Sequence, residues 1–259
     1  MKFKNSATLR QGLPSLILAL VVLFSWQLVV DKLHLPLWLL PSPAKIAGAF
    51  WSTRSVLWGH AWTTIVETTS GFLLAVVLGI AAAVAMALFP PFKRLFYPYL
   101  VISQTIPLIA VAPLLIAWLG YDLLPKIVTV ILVCFFPIAV NLLEGLESAE
   151  IDLLNLLRSM GASRWKIFTV VQWPQAMPSL FAGLKIAATY SVMGAIIGEW
   201  LGASSGLGVY LTRSAHSFLT DRVFAAIVAI TLLSLVYFGL IALLARISLP
   251  WAYTKNNKK

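Results

Sequence analysis

Few side chains in this chain could do chemistry, and those that could sit within long apolar runs. Glu199 is the most conspicuous. A carboxylate fully buried in lipid costs about 2.5–3.5 kcal/mol on insertion scales, so Glu199 is expected to face either the following loop, 202–221, or a water-filled cavity. It could contact a solute, or it could pair structurally with Arg213 or Arg222. Gln104, flanked by Ser103 and Thr105, lies just before Pro107; Tyr190 and Ser191 lie midway along the run that ends at Glu199; Asn141 closes another run. Each of these could line a solute path or make a helix-to-helix hydrogen bond. His34, His60 and His216 are far apart, which argues against a metal site, and serine, histidine and acid do not converge as a hydrolase would need. No Gly-x-x-x-x-Gly-Lys-Ser/Thr phosphate loop occurs. The expectation is a protein that conducts rather than converts, with no cofactor of its own.

The elements that must position these residues follow from composition. The chain has 259 residues, 60% of them hydrophobic and 11% charged, and its mean hydropathy is +0.92; soluble domains carry roughly a quarter charged residues. The class is therefore a polytopic membrane protein, and the length accommodates about six spans of roughly 20 residues each. A net charge of +10 could suggest nucleic acid, but the Lys and Arg residues cluster at the ends of apolar runs and in the tails, which excludes that reading. Cys134 lies inside an apolar run and is expected to be a packing residue.

Six spans can be placed, at 12–30, 67–89, 96–119, 125–143, 179–201 and 223–246. Residues 1–11 then form a tail, 12–250 a single transmembrane domain, and 251–259 a basic tail. The first span follows Lys2, Lys4 and Arg10 but lacks a small-x-small cleavage site, so it is expected to stay as an anchor. With the amino terminus inside, thirteen of the 19 Lys and Arg residues face the cytoplasm and six face out, an asymmetry that places both termini inside. Segment 31–66 is too polar to span. Within it, 44–51 reads as a short interfacial helix, with Trp38, Trp51, Trp58 and Trp62 as belt residues. Pro107, Pro113 and Pro137 require bent spans whose freed carbonyls are satisfied by neighbours. Gly71 and Gly79 with Ala75, Ala82 and Ala83 give the second span a small face for close packing.

One stretch, 144–178, breaks the apolar pattern. Ser148 is expected to cap a helix with Glu150 and Asp152 in its first turn; Leu153, Leu154, Leu157 and Met160 repeat at helical spacing, and Gly161 ends it. Ser163 can cap a second helix over 164–171, with Trp165, Phe168 and Val171 on one face and Pro174 as its stop. This helix-turn-helix on the cytoplasmic side either fits a groove in a soluble partner or folds back on its own bundle.

Residues 155–174 resemble the EAA loop of ABC importer permeases, whose pattern is Glu-Ala-Ala, three residues, Gly, nine residues, Ile, one residue, Leu-Pro. Asn155-Leu156-Leu157 takes the place of Glu-Ala-Ala, Gly161 the glycine, Val171 the isoleucine and Trp173-Pro174 the Leu-Pro. Gly161-Ala162-Ser163-Arg164-Trp165-Lys166-Ile167-Phe168 is similar to the nitrate, sulfonate and taurine branch, as are the stretches 198–208 and 220–226. The acid of the motif is replaced by Asn155, so a salt bridge made there by other members is missing. The resemblance implies an all-α, type I importer permease fold in a bacterial inner membrane. Its coupling helix, carrying Asn155, Leu157, Gly161, Ala162, Ser163, Arg164, Trp165, Phe168 and Pro174, would enter a cleft of a cytoplasmic ATPase that binds the ATP and Mg. It also implies an external solute-binding protein and a second copy of the permease. Gln104, Tyr190, Ser191 and Glu199 are the candidates for the substrate path. The branch handles small anions such as sulfonates, taurine and nitrate, and also neutral heterocycles such as thiamine pyrimidine precursors and riboflavin. Gly198-Glu199-Trp200 and the lack of an intramembrane Arg in that span favour the heterocycle. A secondary transporter or channel, the competing class, would make the 144–178 loop dispensable.

Overall fold

A computed structural model describes residues 5–200 and 202–251, with side chains from residue 14 onward. Lys2, Lys4, Leu201 and residues 252–259 of the basic tail lie outside the described residues. All regular structure among the described residues is helical. The helices are α1 (Asn5–Lys32), α2 (Pro43–Ser52), α3 (Arg54–Leu88), α4 (Pro90–Ser103), α5 (Leu108–Leu119), α6 (Leu123–Glu147), α7 (Ile151–Ser159), α8 (Arg164–Ile167), α9 (Trp173–Trp200), α10 (Leu207–His216) and α11 (Thr220–Ser248), and a π-helical turn, Phe168–Gln172, joins α8 to α9. Five helices are long and apolar enough to cross a membrane, and α4 with α5 makes a sixth span if the bent pair is counted as one.

The bundle is built on α6, which packs against α9 on one side and α3 on the other. Small residues set the distance. A Cβ at Gly183 of α9 would fall 2.5 Å from the Pro137 carbonyl oxygen of α6, and one at Gly71 of α3 would fall equally close to the Val130 side chain. Ala75 and Ala83 are fully buried on the same α3 face, so the glycine and alanine pattern reports a true contact surface. Leu142, Leu143, Leu146, Ile138 and Met86 fill the hairpin half of the core, each essentially without exposure. α1 and α11 present long rows of exposed Leu, Val and Ile, as lipid-facing helices do. α1 touches the rest through Trp26, whose ring lies 5.7 Å from that of Phe224, and through Gln27, whose Oε1 accepts the Ala44 N–H.

Three expectations are corrected. The segment 31–66 does contain the short helix, α2, with Ser42 as its cap and Ile46 and Ala49 buried. Yet residues 54–66 belong to the spanning helix α3, because Thr53 both closes α2 and accepts the Leu57 N–H that opens α3. At 35 residues, α3 is roughly 50 Å long and overruns a hydrocarbon layer of about 30 Å. The third span is broken outright, α4 and α5 meeting at 102°; Pro107, without an N–H and disfavouring helical backbone before it, leaves Gln104 to Ile106 as a turn. Pro174 does not stop a helix. The Trp173 N–H reaches back five residues to the Phe168 carbonyl, and Pro174 falls in the first turn of α9, where a missing N–H leaves nothing unsatisfied.

Candidate functional site

Three places concentrate the polar and unusual residues. The first is the α7–α8 hairpin. α7 ends in two reciprocal backbone bonds, Gly161 N–H to Arg158 O at 2.9 Å and Ala162 N–H to Leu157 O at 3.0 Å, the Schellman closure that requires a left-handed residue at its centre. Gly161 supplies it with φ of 79°. Ser163 then caps α8 by accepting the Lys166 N–H. Ser148 does not cap α7: its hydroxyl donates to the Gly145 carbonyl at 2.8 Å, and Glu150 holds the cap position. The expected helix over 164–171 is one α turn followed by the π turn.

Packing divides the hairpin unequally. Ile167 and Phe168 are buried, and Phe168 contacts the rings of Trp165 and Trp173. α7 buries nothing. Leu156, Met160 and Trp165 stand exposed at 57%, 74% and 62%, an uncovered apolar edge on a hairpin fixed at its base. Asn155, where an acid is the family pattern, is occupied locally, accepting from Arg158 Nη1 at 3.1 Å.

The second place is a groove of about 660 Å³ along α5, α6 and α9, opening at the α4–α5 break. Ser103, Gln104, Asn141 and Tyr190 supply its polar side chains, and Phe136, Met193 and Ile197 are among its apolar walls. No charged residue lines it. Gln104 and Tyr190, read separately from the sequence and 86 positions apart, thus come together. Ser191 does not join them. It is fully buried, and its hydroxyl donates to the Ala188 carbonyl within its own helix.

Glu199 is also elsewhere, in a third cluster at the end of the bundle opposite the hairpin. It is 1% exposed. Its Oε1 accepts the Thr64 hydroxyl at 2.6 Å, and its Oε2 accepts the Gly208 N–H. Thr64 Oγ1 in turn accepts the Leu207 N–H at 2.9 Å, and His60 Nδ1 accepts the Gly206 N–H at 3.1 Å. Three successive N–H groups at the start of α10, which a helix leaves unpaired, are all satisfied by side chains, with a carboxylate at the positive end of the dipole. Gly206, φ 130°, is obligatory because a Cβ there would overlap the Glu199 carboxylate. The expected partners are not used: Arg213 donates to the Ser204 carbonyl, and the Arg222 backbone N–H to Asp221. Glu199 faces the loop, as one of the two expectations had it, and positions α10 rather than lining the groove.

Glu67 was missed by sequence reading, which took it as the first residue of a span. It is fully buried, with Lys126 Nζ 3.2 Å from its Oε1, and its carboxyl neighbours that of Glu199. The signal available was an acid, a lysine and a second acid, each at the same end of its predicted span.

Residues 75–247 match the family described as binding-protein-dependent transport system inner membrane component. The formylaminopyrimidine transport permease protein of Halalkalibacterium halodurans is 36% identical, over 93% of this chain and 96% of its own. The riboflavin transport system permease protein of Chloroflexus aurantiacus is 33% identical over 93% and 90%, and the taurine transport system permease protein of Escherichia coli 30% over 90% and 87%. Among solved structures, a chain of the MetNI methionine ABC transporter in an inward-facing conformation aligns with a TM-score of 0.59 at 21% identity, over 76% of this chain and 96% of that one. That likeness is one of fold.

Proposed function

Because the chain belongs to the binding-protein-dependent transport system inner membrane components, the permease subunits of ABC importers, we propose that it imports a small neutral heterocycle, of which a thiamine pyrimidine precursor is the best example. The observation that carries this reading is the lining of the groove beside the α4–α5 break. An amide, a phenol and aromatic and aliphatic walls suit a flat hydrogen-bonding ring. A sulfonate would call for a guanidinium or ammonium there, and no charged residue lines the groove. The formylaminopyrimidine permease of H. halodurans, similar over nearly its whole length, supports the same choice. The taurine permease of E. coli supports the alternative of a small anion. Glu199, first considered as a mark of the heterocycle path, no longer contributes, since it holds α10.

In this reading two copies of the chain enclose the pathway, each groove facing the other across it. An external binding protein delivers the solute at the α10 end, and the termini lie in the cytoplasm with the α7–α8 hairpin. The hairpin's exposed edge, Leu156, Met160 and Trp165, enters a cytoplasmic ATPase. Closure of that ATPase on ATP and Mg moves the two hairpins together and rocks the spans between inward-open and outward-open states. Gly161 fixes the angle between α7 and α8, so that the motion is transmitted rather than absorbed.

The test is ATP-dependent uptake into proteoliposomes holding the permease, its ATPase and its binding protein. Labelled formylaminopyrimidine should enter and labelled taurine should not, and Tyr190→Ala and Gln104→Ala should each lower uptake while the ATPase stays bound. Uptake of taurine alone would overturn the substrate class and leave the permease assignment standing.

A further inference from the structure

The hairpin end of the bundle holds two adjoining crevices apart from the solute groove, one of them reached by Arg164 of the expected coupling helix. The first, about 290 Å³, lies between the α3–α4 turn and the α7–α8 hairpin and is walled by Leu88, Pro90, Leu154 and Gln172, with Arg158 and Arg164 reaching into it. The second, about 390 Å³, shares Ala87 and Pro90 with the first and adds Lys93 and Arg94.

Their charges are unequally met. Lys93 is neutralised by Glu147 at 2.7 Å. Arg158 spends one N–H on the Asn155 amide oxygen, and neither Arg158, Arg164 nor Arg94 has a carboxylate within ion-pair distance among the described residues. The first crevice has no acidic residue in its walls. Two guanidiniums from different helices therefore line one crevice with no counter-charge supplied by its walls. α7, which carries Arg158, is also the helix that buries no side chain, so packing alone does not hold it to the bundle.

Depth in the membrane narrows the occupant. Leu88 closes the apolar helix α3, and Phe89, 62% exposed, forms the turn into α4. At such a boundary hydrocarbon gives way to headgroups. Apolar wall residues beside two guanidiniums match a phospholipid, whose glycerol and acyl stem would lie along Leu88 and Leu154 and whose phosphate would take paired N–H donors. Basic pockets at the cytoplasmic ends of spanning helices bind anionic headgroups on these same terms. A free phosphate would gain nothing from the apolar walls.

We propose that this crevice binds the phosphate of an anionic phospholipid between Arg158 and Arg164, and that the lipid tethers α7 to the α3–α4 turn. The site belongs to the permease chain itself and does not depend on which solute is carried.

Lipid retention by the purified, delipidated full-length chain tests it, read by native mass spectrometry with added phosphatidylglycerol or phosphatidylcholine. Phosphatidylglycerol should be retained roughly tenfold better or more. The double variant Arg158→Gln, Arg164→Gln should lose that preference, Arg158→Lys with Arg164→Lys should keep part of it, and Lys166→Gln, on the same hairpin but outside the crevice, should keep all of it. Both arginines are exposed, so the variants should elute as the wild type does; Arg164→Gln alone, which should reduce the preference, serves if the double variant does not. Equal retention of the two lipids, or a preference unchanged in the double variant, would overturn the proposal. Full displacement by inorganic phosphate would assign the crevice to a soluble anion, and loss of lipid on adding the ATPase would assign it to the ATPase interface; either contradicts a lipid tether.

Discussion

Replacing Glu199 by alanine asks whether the one acid conspicuous in the sequence serves the fold or the solute. The side chain is 1% exposed and accepts two hydrogen bonds, from the Thr64 hydroxyl and the Gly208 N–H. Truncation removes both, each worth about 1.5–3 kcal/mol when one partner is charged. Thr64 can turn to the His60 carbonyl, already 3.3 Å away, but Gly208 is left with a buried, unpaired N–H. Offsetting the first and counting the second, we expect a loss of about 1.5–3 kcal/mol. Glu199→Gln keeps the shape and one acceptor and should lose about half as much. At roughly 2–4 °C per kcal/mol for a chain of this size, the alanine variant should melt roughly 3–12 °C lower in mild detergent, followed by size-exclusion chromatography after heating. The double variant Thr64→Val, Glu199→Ala should lose less than the sum of the singles, because the two share a bond. An alanine variant that melts like the wild type but fails in uptake would refute this reasoning and return Glu199 to the substrate path.

Lys126→Met should destabilise the same end of the bundle by about 3–5 kcal/mol, since it leaves the fully buried Glu67 without its cation; adding Glu67→Met should recover most of the loss in the same melting assay. Gly183→Val should lower the melting temperature and the yield of monodisperse protein, because its Cβ would meet the Pro137 carbonyl oxygen and force α6 and α9 apart; overpacking of this kind costs about 1–3 kcal/mol or more. Gly239→Ala, on a face of α11 with nothing within 4 Å of the new atom, should be neutral or raise stability by up to about 1 kcal/mol.

Much of this architecture could be read from local pattern. Long apolar runs located the spans, and a glycine followed by a capping serine located the hairpin, because Gly161 and Ser163 each act on a backbone atom three positions away. The branch of transporters followed from that stretch together with 198–208 and 220–226. What local pattern could not reach was whatever depended on the packing of distant helices. Glu67, Lys126 and Glu199 are spread over more than a hundred positions and meet only because α3, α6 and α9 pack together. Arg213 and Arg222, near Glu199 in sequence, therefore stood beside a solute contact as its expected partners, whereas its partners are a threonine on α3 and a backbone N–H. Ser191 and Tyr190 show the limit of reading by neighbourhood: adjacent in sequence but about 100° apart around α9, one is buried in the bundle and the other lines the groove. Pro174 misled for the opposite reason. Its breaking tendency was absorbed by a π turn, a one-residue change in hydrogen-bond register with little signature in composition.

The account rests on the α7–α8 hairpin being the ATPase contact, and the most direct measurement is recovery of an ATPase with the tagged chain from its native membrane, comparing wild type, Gly161→Asn and Gly161→Val. Gly161 has φ of 79° with open space around it, so substitution there acts through backbone strain rather than collision. Asparagine tolerates that conformation and should keep the ATPase. Valine should strain the turn by about 1–2 kcal/mol, weakening association roughly 5- to 30-fold while the chain still inserts and elutes normally. Recovery of no ATPase with the wild type, or equal recovery with valine, would contradict the account.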